Sequence, residues 1–221
     1  MPAKRSARPD FTYEDAYNGI VCGIDEVGRG PLAGPVVAAA VTLRRDQCPK
    51  DLLAEINDSK KLSAIKRERL FKAINEYAYV SLSEVCAEEI DRINILQATF
   101  LAMQRAHSSL HKLMGKTPPI AALVDGNQRP KLLHEVSIQT IVKGDAKSLS
   151  IAAASIIAKH HRDVLMITLA EKFPQYGWQT NAGYGTQEHL EALEKHGITP
   201  YHRRSFAPVS KQSVKVNSAN Y

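Results

Sequence analysis

The chain of 221 residues is long enough for one sizeable domain, or for one domain with a small helical addition. Hydrophobic residues make up 44% and charged residues 24%, as in ordinary globular proteins, and no apolar run approaches the ~20 residues needed to span a bilayer. The formal net charge of +6 favours polyanionic partners such as nucleic acid, although many ordinary enzymes are as basic.

The apolar and polar patterns predict alternating strands and helices along the chain. Turn residues between the first two predicted strands favour a hairpin, and Ser63 and Thr186 are typical helix N-caps. We interpret the Gly-rich and aromatic stretch 173–185 as a functional loop. The predicted strands are 20–26, 35–43, 79–86, 120–124 and 136–142, and the predicted helices are 64–78, 87–113, 146–171 and a helix from Thr186 to Gly197.

Two neighbouring carboxylates, Asp25 and Glu26, stand where the first predicted strand gives way to a glycine-bracketed arginine. Ionised groups among apolar residues are costly unless they are paired or bind a metal. Since a strand directs successive side chains to opposite faces, the two can converge only where the strand ends and the backbone turns. Gly28 and Gly30 permit that turn and a close approach to a ligand. Taken alone, the segment is equally compatible with a charged turn.

Asp125 and Asp145 also follow apolar, strand-like runs. Singly, Asp125 is typical of a strand end and Asp145 of a helix N-cap. Because the ends of paired strands can meet in one cleft, the combination favours a shared site. Carboxylate oxygens are natural ligands of Mg²⁺ or Mn²⁺, and without a metal their repulsion would raise at least one pKa.

Other candidate ligands are weaker. His107 and His111 have the i, i+4 spacing that zinc sites use on helices, but no glutamate completes an HExxH motif. We therefore expect a solvated helix face there. Three scattered cysteines, Cys22, Cys48 and Cys86, form no CxxC pair, which indicates reduced thiols and a cytoplasmic protein.

The motifs, in their order along the chain, resemble those of the ribonuclease HII family, the bacterial type 2 ribonucleases H. The resemblance spans residues 20–209, and the adjacent histidines at 160–161 depart from it without touching the carboxylate set. The motifs are GIDEVGRGPLAGP at 23–35, NDSKKLS at 57–63, INILQAT at 93–99, VDGN at 124–127, KGDAKS at 143–148, SIAAASIIAK at 150–159, GYGT at 183–186 and HRRSF at 202–206.

The resemblance implies a ribonuclease H-like α/β fold, with a mixed five-stranded sheet flanked by helices and a C-terminal helical part. We expect a basic arm at 1–15, a catalytic domain at 16–209 and a flexible tail at 210–221. The implied activity is endonucleolytic hydrolysis of the RNA strand of RNA–DNA hybrids and incision at single ribonucleotides in duplex DNA. The products would carry a 3′-hydroxyl and a 5′-phosphate.

Site residues carry over from the family by position. Four carboxylates, Asp25, Glu26, Asp125 and Asp145, would hold two Mg²⁺ or Mn²⁺ ions. The backbone of Gly28, Arg29 and Gly30 would detect the 2′-hydroxyl, and Tyr184 would stack on the sugar of the following deoxynucleotide. Further contacts to phosphates or helix ends are expected from Lys60, Lys61, Asn94, Lys143, Lys147, Ser148, Arg203 and Arg204.

Two alternatives remain open at this point. An integrase-like or resolvase-like nuclease of the same fold would share the acidic site without needing a 2′-hydroxyl sensor. A basic nucleic-acid-binding module without catalysis would not need the carboxylates. We expect a monomer without membrane contact, and a replication or repair partner is not identifiable from the sequence.

Overall fold

The computed structural model describes residues 8–211, so the first seven residues of the predicted arm and residues 212–221 of the predicted tail lie outside it. The chain forms two compact units that interleave along the sequence. Of the residues described, unit 1 contains 8–27, Ala38–Ser83 and Ala102–His160; unit 2 contains Gly28–Val37, Glu84–Leu101 and 161–211. Within the described residues, no helix combines the length and apolarity needed to cross a membrane.

All five predicted strands are present, and four predicted helical regions are found with changed ends. The strands are β1 (Val21–Val27), β2 (Val36–Leu43), β3 (Ala78–Val85), β4 (Ala121–Asp125) and β5 (Ser137–Ile141). The helices are α1 (Lys50–Glu55), α2 (Ala64–Tyr77), α3 (Ala87–Ile93), α4 (Ile95–Met114), α5 (Leu149–Lys172), α6 (Trp178–Asn181) and α7 (Gln187–His196). Short 3₁₀ turns lie at Glu14–Ala16, Ser59–Lys61, Gly144–Ala146 and Pro174–Tyr176.

The five strands form one sheet in the order β3-β2-β1-β4-β5, which confirms the predicted α/β architecture. β1 and β2 are neighbours, as a hairpin requires, whereas β1 pairs with β4 and β4 with β5 in parallel. The register places Ile24 opposite Val124 and Asp125 opposite Ile141. The strand ends that carry the predicted carboxylates therefore lie along one edge of the sheet.

Each unit has its own apolar packing. In unit 1, Val21, Leu123 and Ile141 from the parallel strands pack with Ile151 of α5. In unit 2, the C-terminal helical part packs around a cluster of aromatic and aliphatic side chains. The buried members of that cluster are Leu32, Ala33, Met166, Leu169, Ala170, Tyr176, Trp178, Ala192, Leu193 and Val209.

The prediction of one long helix at 87–113 is wrong in one respect, because Asn94 divides the region into two helices. Asn94 has a left-handed φ of 66°, and its Oδ1 accepts hydrogen bonds from the N–H groups of Leu96 and Gln97. Asn94 thus ends α3 and caps α4. The predicted N-caps Ser63 and Thr186 are confirmed, since their hydroxyls accept hydrogen bonds from the N–H groups of Lys66 and His189.

Two other expectations are corrected. The stretch 173–185 is not a plain loop, since it contains the 3₁₀ turn Pro174–Tyr176 and helix α6. His107 does not lie on a solvated face: it is fully buried, in helical register with the buried Met103 and Leu110. The position of His107 on the apolar face of its helix, and not its spacing from His111, determines that the side chain is buried.

Residues 8–15 belong to the predicted arm, but part of this segment bonds to unit 1. Asp10 forms a parallel bridge with Ser148, and the buried Glu14 accepts hydrogen bonds from the Ser148 hydroxyl and the Ser150 N–H. The carboxylate of Glu14 thereby satisfies donors at the start of α5. The boundary between arm and domain stays a prediction.

At Gly23 the backbones of β1 and α5 approach closely. A Cβ at this position would lie 2.1 Å from the Ser150 carbonyl carbon and 2.3 Å from the Ile151 nitrogen, both of them backbone atoms. We expect Gly23→Ala to lower the free energy of unfolding by about 3 kcal/mol or more, or to prevent folding, because the strand and helix must separate.

Gly115→Ala is the control for this measurement, since a Cβ at Gly115 meets no atom within 4 Å and only its φ of +60° opposes the substitution. It should cost about 1 kcal/mol. Urea unfolding of both variants provides the comparison, and equal losses would contradict the close-packing argument.

Candidate active site

Asp25 lies near the end of β1 and is held in a polar chain. It is only 6% exposed, and its Oδ1 accepts a hydrogen bond from the Glu26 N–H at 2.8 Å. The Ser155 hydroxyl of α5 also donates to the Asp25 carboxylate. Ser155 lies in turn 2.8 Å from the hydroxyl of the buried Ser59. These bonds fix the carboxylate relative to α5 and to the turn Ser59–Lys61.

Asp125 and Asp145 reach the same sheet edge by different routes. Asp125 is the last residue of β4, and the parallel pairing of Ile24 with Val124 brings the residues that follow them side by side. Its Oδ1 accepts a hydrogen bond from the Gly144 N–H at 2.6 Å. Asp145 follows Gly144 within a 3₁₀ turn, so this bond ties the two aspartates together.

The electrostatics of unit 1 confirm that these carboxylates are close neighbours. Burial raises the pKa of Asp25 well above the ordinary aspartate value, and the charges of Glu26 and Asp125 raise it further. Burial, followed by the charges of Asp58 and Asp125, raises the pKa of Asp145 to about 6. Both shifts have the causes expected for acids that are buried and crowded into one place.

Asp58 is the acidic neighbour that the sequence interpretation missed. Its side chain accepts a hydrogen bond from the Lys60 N–H at 3.0 Å and caps the turn Ser59–Lys61. It also hydrogen-bonds with Asp145, which it reaches from a distant part of the sequence. The motif NDSKKLS contained the residue, but only the lysines were interpreted.

The donor set fits a divalent cation by chemistry and charge. All its side chains offer hard carboxylate oxygens, which suit Mg²⁺ and Mn²⁺. The side chains do not form a closed ligand shell, because no three His, Cys, Asp or Glu in residues 8–211 converge enough to hold an ion. Asp25 and Asp125 each direct one oxygen to a backbone N–H instead.

The basic residues that we predicted to contact the substrate in unit 1 differ in their exposure and in their hydrogen bonds. Lys60 and Lys61 are exposed, and the positive charge of Lys60 opposes the rise in the pKa of Asp145. Lys143 is exposed and has a left-handed φ of 56° at the start of the turn that holds Asp145. Lys147 donates through Nζ to the Val142 carbonyl at 2.6 Å. Lys60 and Lys143 therefore lie next to the carboxylates, either in space or along the chain.

The structure argues against a substrate contact for Ser148. The residue is fully buried, and its hydroxyl donates to Glu14 at 2.7 Å. The same oxygen accepts from the Ile151 N–H at 3.2 Å. Ser148 therefore caps α5, which is the helix-end contact that we expected as the alternative to a phosphate contact.

In unit 2, the predicted ribose-reading residues lie together. Gly28 has a φ of +91°, and a Cβ there would lie 2.3 Å from Arg162 Nε and 2.7 Å from the Pro35 oxygen. A Cβ on Gly30 would lie 3.3 Å from Cε1 of Tyr184. The Tyr184 side chain, with 49% of the residue exposed, thus stands beside the exposed backbone of Gly30.

Arg203, which we expected to contact phosphate, is fully buried. Its guanidinium donates to the carbonyls of Gly28, Arg29 and Gly34. Burial and, to a smaller extent, the nearby Arg162 charge together lower its pKa to about 9. The expectation was wrong because the charge is used inside the unit, where it fixes the backbone of the glycine-bracketed loop.

Arg162 supports the same segment and was missed entirely. It is 1% exposed and donates to the carbonyls of Ala33, Pro35 and Ala182. Arg162 occupies a buried helical register, four residues before the buried Met166. A charged residue inside an apolar stripe is the signal that could have identified it.

The other predicted contacts in unit 2 are at its surface. Asn94 is exposed, and its side-chain oxygen is engaged in capping α4. The backbone N–H of Arg204 donates to Asp91, whose carboxylate also accepts from Ser205. Whether Asn94 and Arg204 touch a substrate stays a prediction.

Comparisons with known proteins agree with this arrangement. The family model of ribonuclease HII matches residues 22–209. A ribonuclease HII of Paramagnetospirillum magneticum AMB-1 is 55% identical over 203 residues, which are 92% of this chain and 98% of that protein. The ribonuclease H2 structure from Pyrococcus horikoshii OT3 superposes with a TM-score of 0.72 and 27% identity, covering 90% of this chain and 99% of that one.

A third similar structure is Bst-RNase HIII, solved in complex with Mn²⁺. It has a TM-score of 0.75 and 20% identity, and the match covers 90% of this chain and 71% of that one. At this identity it supports the fold alone. The family match favours a ribonuclease H over the integrase-like and non-catalytic alternatives. The chain belongs to the ribonuclease HII family.

Proposed function

We propose that this ribonuclease H, which acts on RNA–DNA hybrids, also incises duplex DNA at single embedded ribonucleotides and leaves 3′-hydroxyl and 5′-phosphate ends. The proposed hydrolysis is supported by one observation, the carboxylate cluster at adjacent ends of parallel strands. The neighbouring charges of Glu26, Asp125 and Asp58 act on Asp25 and Asp145 in that cluster. Such repulsion is relieved when a cation binds.

Asp25, Glu26, Asp125 and Asp145 are the proposed ligands of two Mg²⁺ or Mn²⁺ ions. When bound, such a pair supplies an activated water and stabilises the leaving 3′-oxygen. The chain's contribution is to orient the ligands beforehand. Ser155 and the Glu26 N–H hold Asp25, and the Gly144 N–H holds Asp125.

Recognition of the ribose is assigned to the loop of Gly28, Arg29 and Gly30 together with Tyr184. The juxtaposition of Gly30 and Tyr184 supports this assignment. Backbone N–H and C=O groups can hydrogen-bond to a 2′-hydroxyl, and an aromatic ring can stack on a sugar. Arg203 binds the carbonyls of Gly28 and Arg29, so the loop keeps one conformation before a substrate arrives. Rigid placement reduces the entropic cost of binding.

Contacts to phosphate are assigned to Lys60, Lys61, Lys143 and Lys147, and a further contact to Asn94. Exposed lysines beside a nuclease site attract the backbone of a nucleic acid without reading its sequence. We therefore propose that they set affinity and salt dependence, whereas the loop and Tyr184 set selectivity.

Three matched duplexes test the proposal: a long RNA–DNA hybrid, a DNA duplex with one ribonucleotide, and an all-DNA duplex. We expect cleavage of the first two, none of the third, and complete loss of cleavage in EDTA. Mapping the products gives the ends. Cleavage of the all-DNA duplex, or of any duplex in EDTA, would contradict the proposal.

Asp125→Asn tests the carboxylate cluster. The amide keeps the size of the side chain and an oxygen for the Gly144 N–H, but it loses the charge that a cation requires. We expect cleavage of the hybrid to fall at least about 100-fold, while hybrid binding stays within about threefold of wild type. Asp46→Asn, at an exposed turn after β2, is the control. Wild-type turnover by Asp125→Asn at saturating Mg²⁺ would exclude this residue as a ligand.

Tyr184→Ala tests the junction contact. Loss of the ring should reduce incision at a single ribonucleotide about fivefold more than hydrolysis of a long hybrid, because only the former depends on one junction. Tyr79→Ala, at an exposed tyrosine of β3, controls for the loss of an aromatic ring. Steady-state kinetics on both substrates gives the ratio. Equal losses on the two substrates would argue against junction sensing.

Asp145→Asn should stabilise the metal-free protein, increasingly as the pH rises. In wild type, the folded state raises the Asp145 pKa from 3.8 to about 6, so it binds this proton more tightly than the unfolded state. The resulting stability is present below about pH 4 and is lost as the pH rises through 6. The asparagine does not ionise and avoids this loss.

Thermal unfolding in EDTA between pH 4 and 8 measures the effect. The midpoint of Asp145→Asn minus that of wild type should grow between pH 4 and 6 and then level off. Asp46→Asn, at an exposed turn, is measured alongside as the control for the loss of a surface charge. A pH-independent difference for Asp145→Asn would show that the folded state does not raise the pKa of Asp145.

A further inference from the structure

A buried hydrogen-bonded chain in unit 2 ends on the backbone of Tyr184. His189 lies in the first turn of α7, and its Nδ1 is 2.9 Å from the Tyr184 carbonyl oxygen. Its Nε2 lies 3.1 Å from Trp178 Nε1 and 3.0 Å from His202 Nε2. The Thr199 N–H donates to His202 Nδ1 at 2.9 Å.

The partners of these rings determine where the protons lie. A carbonyl oxygen only accepts, so His189 Nδ1 carries a hydrogen and donates to Tyr184. His189 Nε2 is then the acceptor for the Trp178 N–H. Because His202 Nδ1 accepts from a backbone N–H, its proton lies on Nε2 and points at His189 Nε2. Every bond in the chain thus runs in one consistent direction.

This hydrogen-bonded network is shielded from solvent, and it disfavours a positive charge on either histidine. Both histidines are buried, and Tyr176 packs edge-on against each ring. A proton on His189 Nε2 would face two other N–H donors. Burial lowers the pKa of His189, and burial together with the His189 charge lowers that of His202 to about 3. Glu188 acts in the opposite sense on His189 without reversing the shift.

We propose that His189, oriented by His202 and Trp178, is a positioning residue that fixes the backbone of Tyr184 and thereby sets the selectivity for a ribonucleotide junction. This inference rests on the proposed role of Tyr184. The Tyr184 carbonyl accepts bonds from His189 and from the Thr186 N–H, and its own N–H donates to Asn181. The backbone of Tyr184 is therefore held on both sides, while its ring, beside Gly30, projects from a fixed point.

Two amide variants separate positioning from simple packing. In His189→Asn, the amide nitrogen takes the place of Nδ1 and keeps the donor to Tyr184. In His189→Gln, the longer amide reaches the place of Nε2, keeps an acceptor for Trp178 and loses the bond to Tyr184. Both variants disturb the same buried site, and asparagine is the smaller residue, so packing damage alone should affect His189→Asn at least as much as His189→Gln.

The measurement is the ratio of kcat/KM on a single-ribonucleotide duplex to kcat/KM on a long hybrid, for wild type, both variants and Tyr184→Ala. We expect His189→Gln to lower this ratio about fivefold, the value of one lost hydrogen bond, and His189→Asn to stay within about twofold of wild type. Losses that are equal on both substrates in both variants would assign His189 a merely structural role and overturn the inference.

Tyr184→Ala distinguishes the proposed role of Tyr184 from the positioning role of His189. If it leaves the ratio unchanged, the proposed role of Tyr184 fails, and the selectivity role of His189 fails with it. If Tyr184→Ala lowers the ratio and His189→Gln does not, only the positioning role is overturned.

A measurement on the wild-type chain covers the case in which a variant does not fold. Nitrogen-15 NMR of the imidazoles should show neutral rings at about pH 8, with the proton of His189 on Nδ1 and that of His202 on Nε2. The opposite tautomer at His189 would remove the donor to Tyr184, and a charged His189 ring would remove the acceptor for the Trp178 N–H. Either result would overturn the inference.

Discussion

Repulsion among carboxylates that the fold cannot separate is the constraint on which the rest of unit 1 depends. Parallel pairing of β1 with β4 sets Asp25 beside Asp125, and the bond from the Gly144 N–H brings the turn of Asp145 to the same edge. Burial and mutual charge then raise the pKa values of Asp25 and Asp145. Such a site is costly to the folded chain and correspondingly receptive to a divalent cation, because the same charges that oppose one another attract the ion.

The fold tolerates this cost because the surrounding backbone is closely packed. Gly23 lets β1 lie against the start of α5, which carries Ser155 to the Asp25 carboxylate. Ser59 bonds to Ser155 and fixes the turn whose N-cap is Asp58. The acids are thus held by strands, a helix and a capped turn, so relaxation that would let them move apart is opposed by packing.

Local patterns predicted what depends on local chemistry. Alternating and continuous apolar runs located the five strands, and the strand-end positions of Asp25 and Asp125 identified the acidic edge. Contacts between distant segments could not be predicted in this way. The bond from Arg203 to Gly28 joins residues 175 positions apart, and nothing near either residue distinguishes it from a phosphate contact. Asn94 broke a predicted helix because its left-handed φ and capping side chain override an otherwise helical pattern.

The two units treat buried polar groups in opposite ways. In unit 1 the carboxylates repel one another, and a bound cation would relieve this repulsion. In unit 2 each buried polar group meets a complementary one: Arg203 and Arg162 bind carbonyl oxygens, and His189 and His202 are neutral with every ring nitrogen engaged. A satisfied network gains nothing from rearrangement, so it keeps one geometry. The recognition of a single hydroxyl that we propose for this loop would require that rigidity, because a loop that could shift to accept deoxyribose would lose the difference in binding energy between the two sugars.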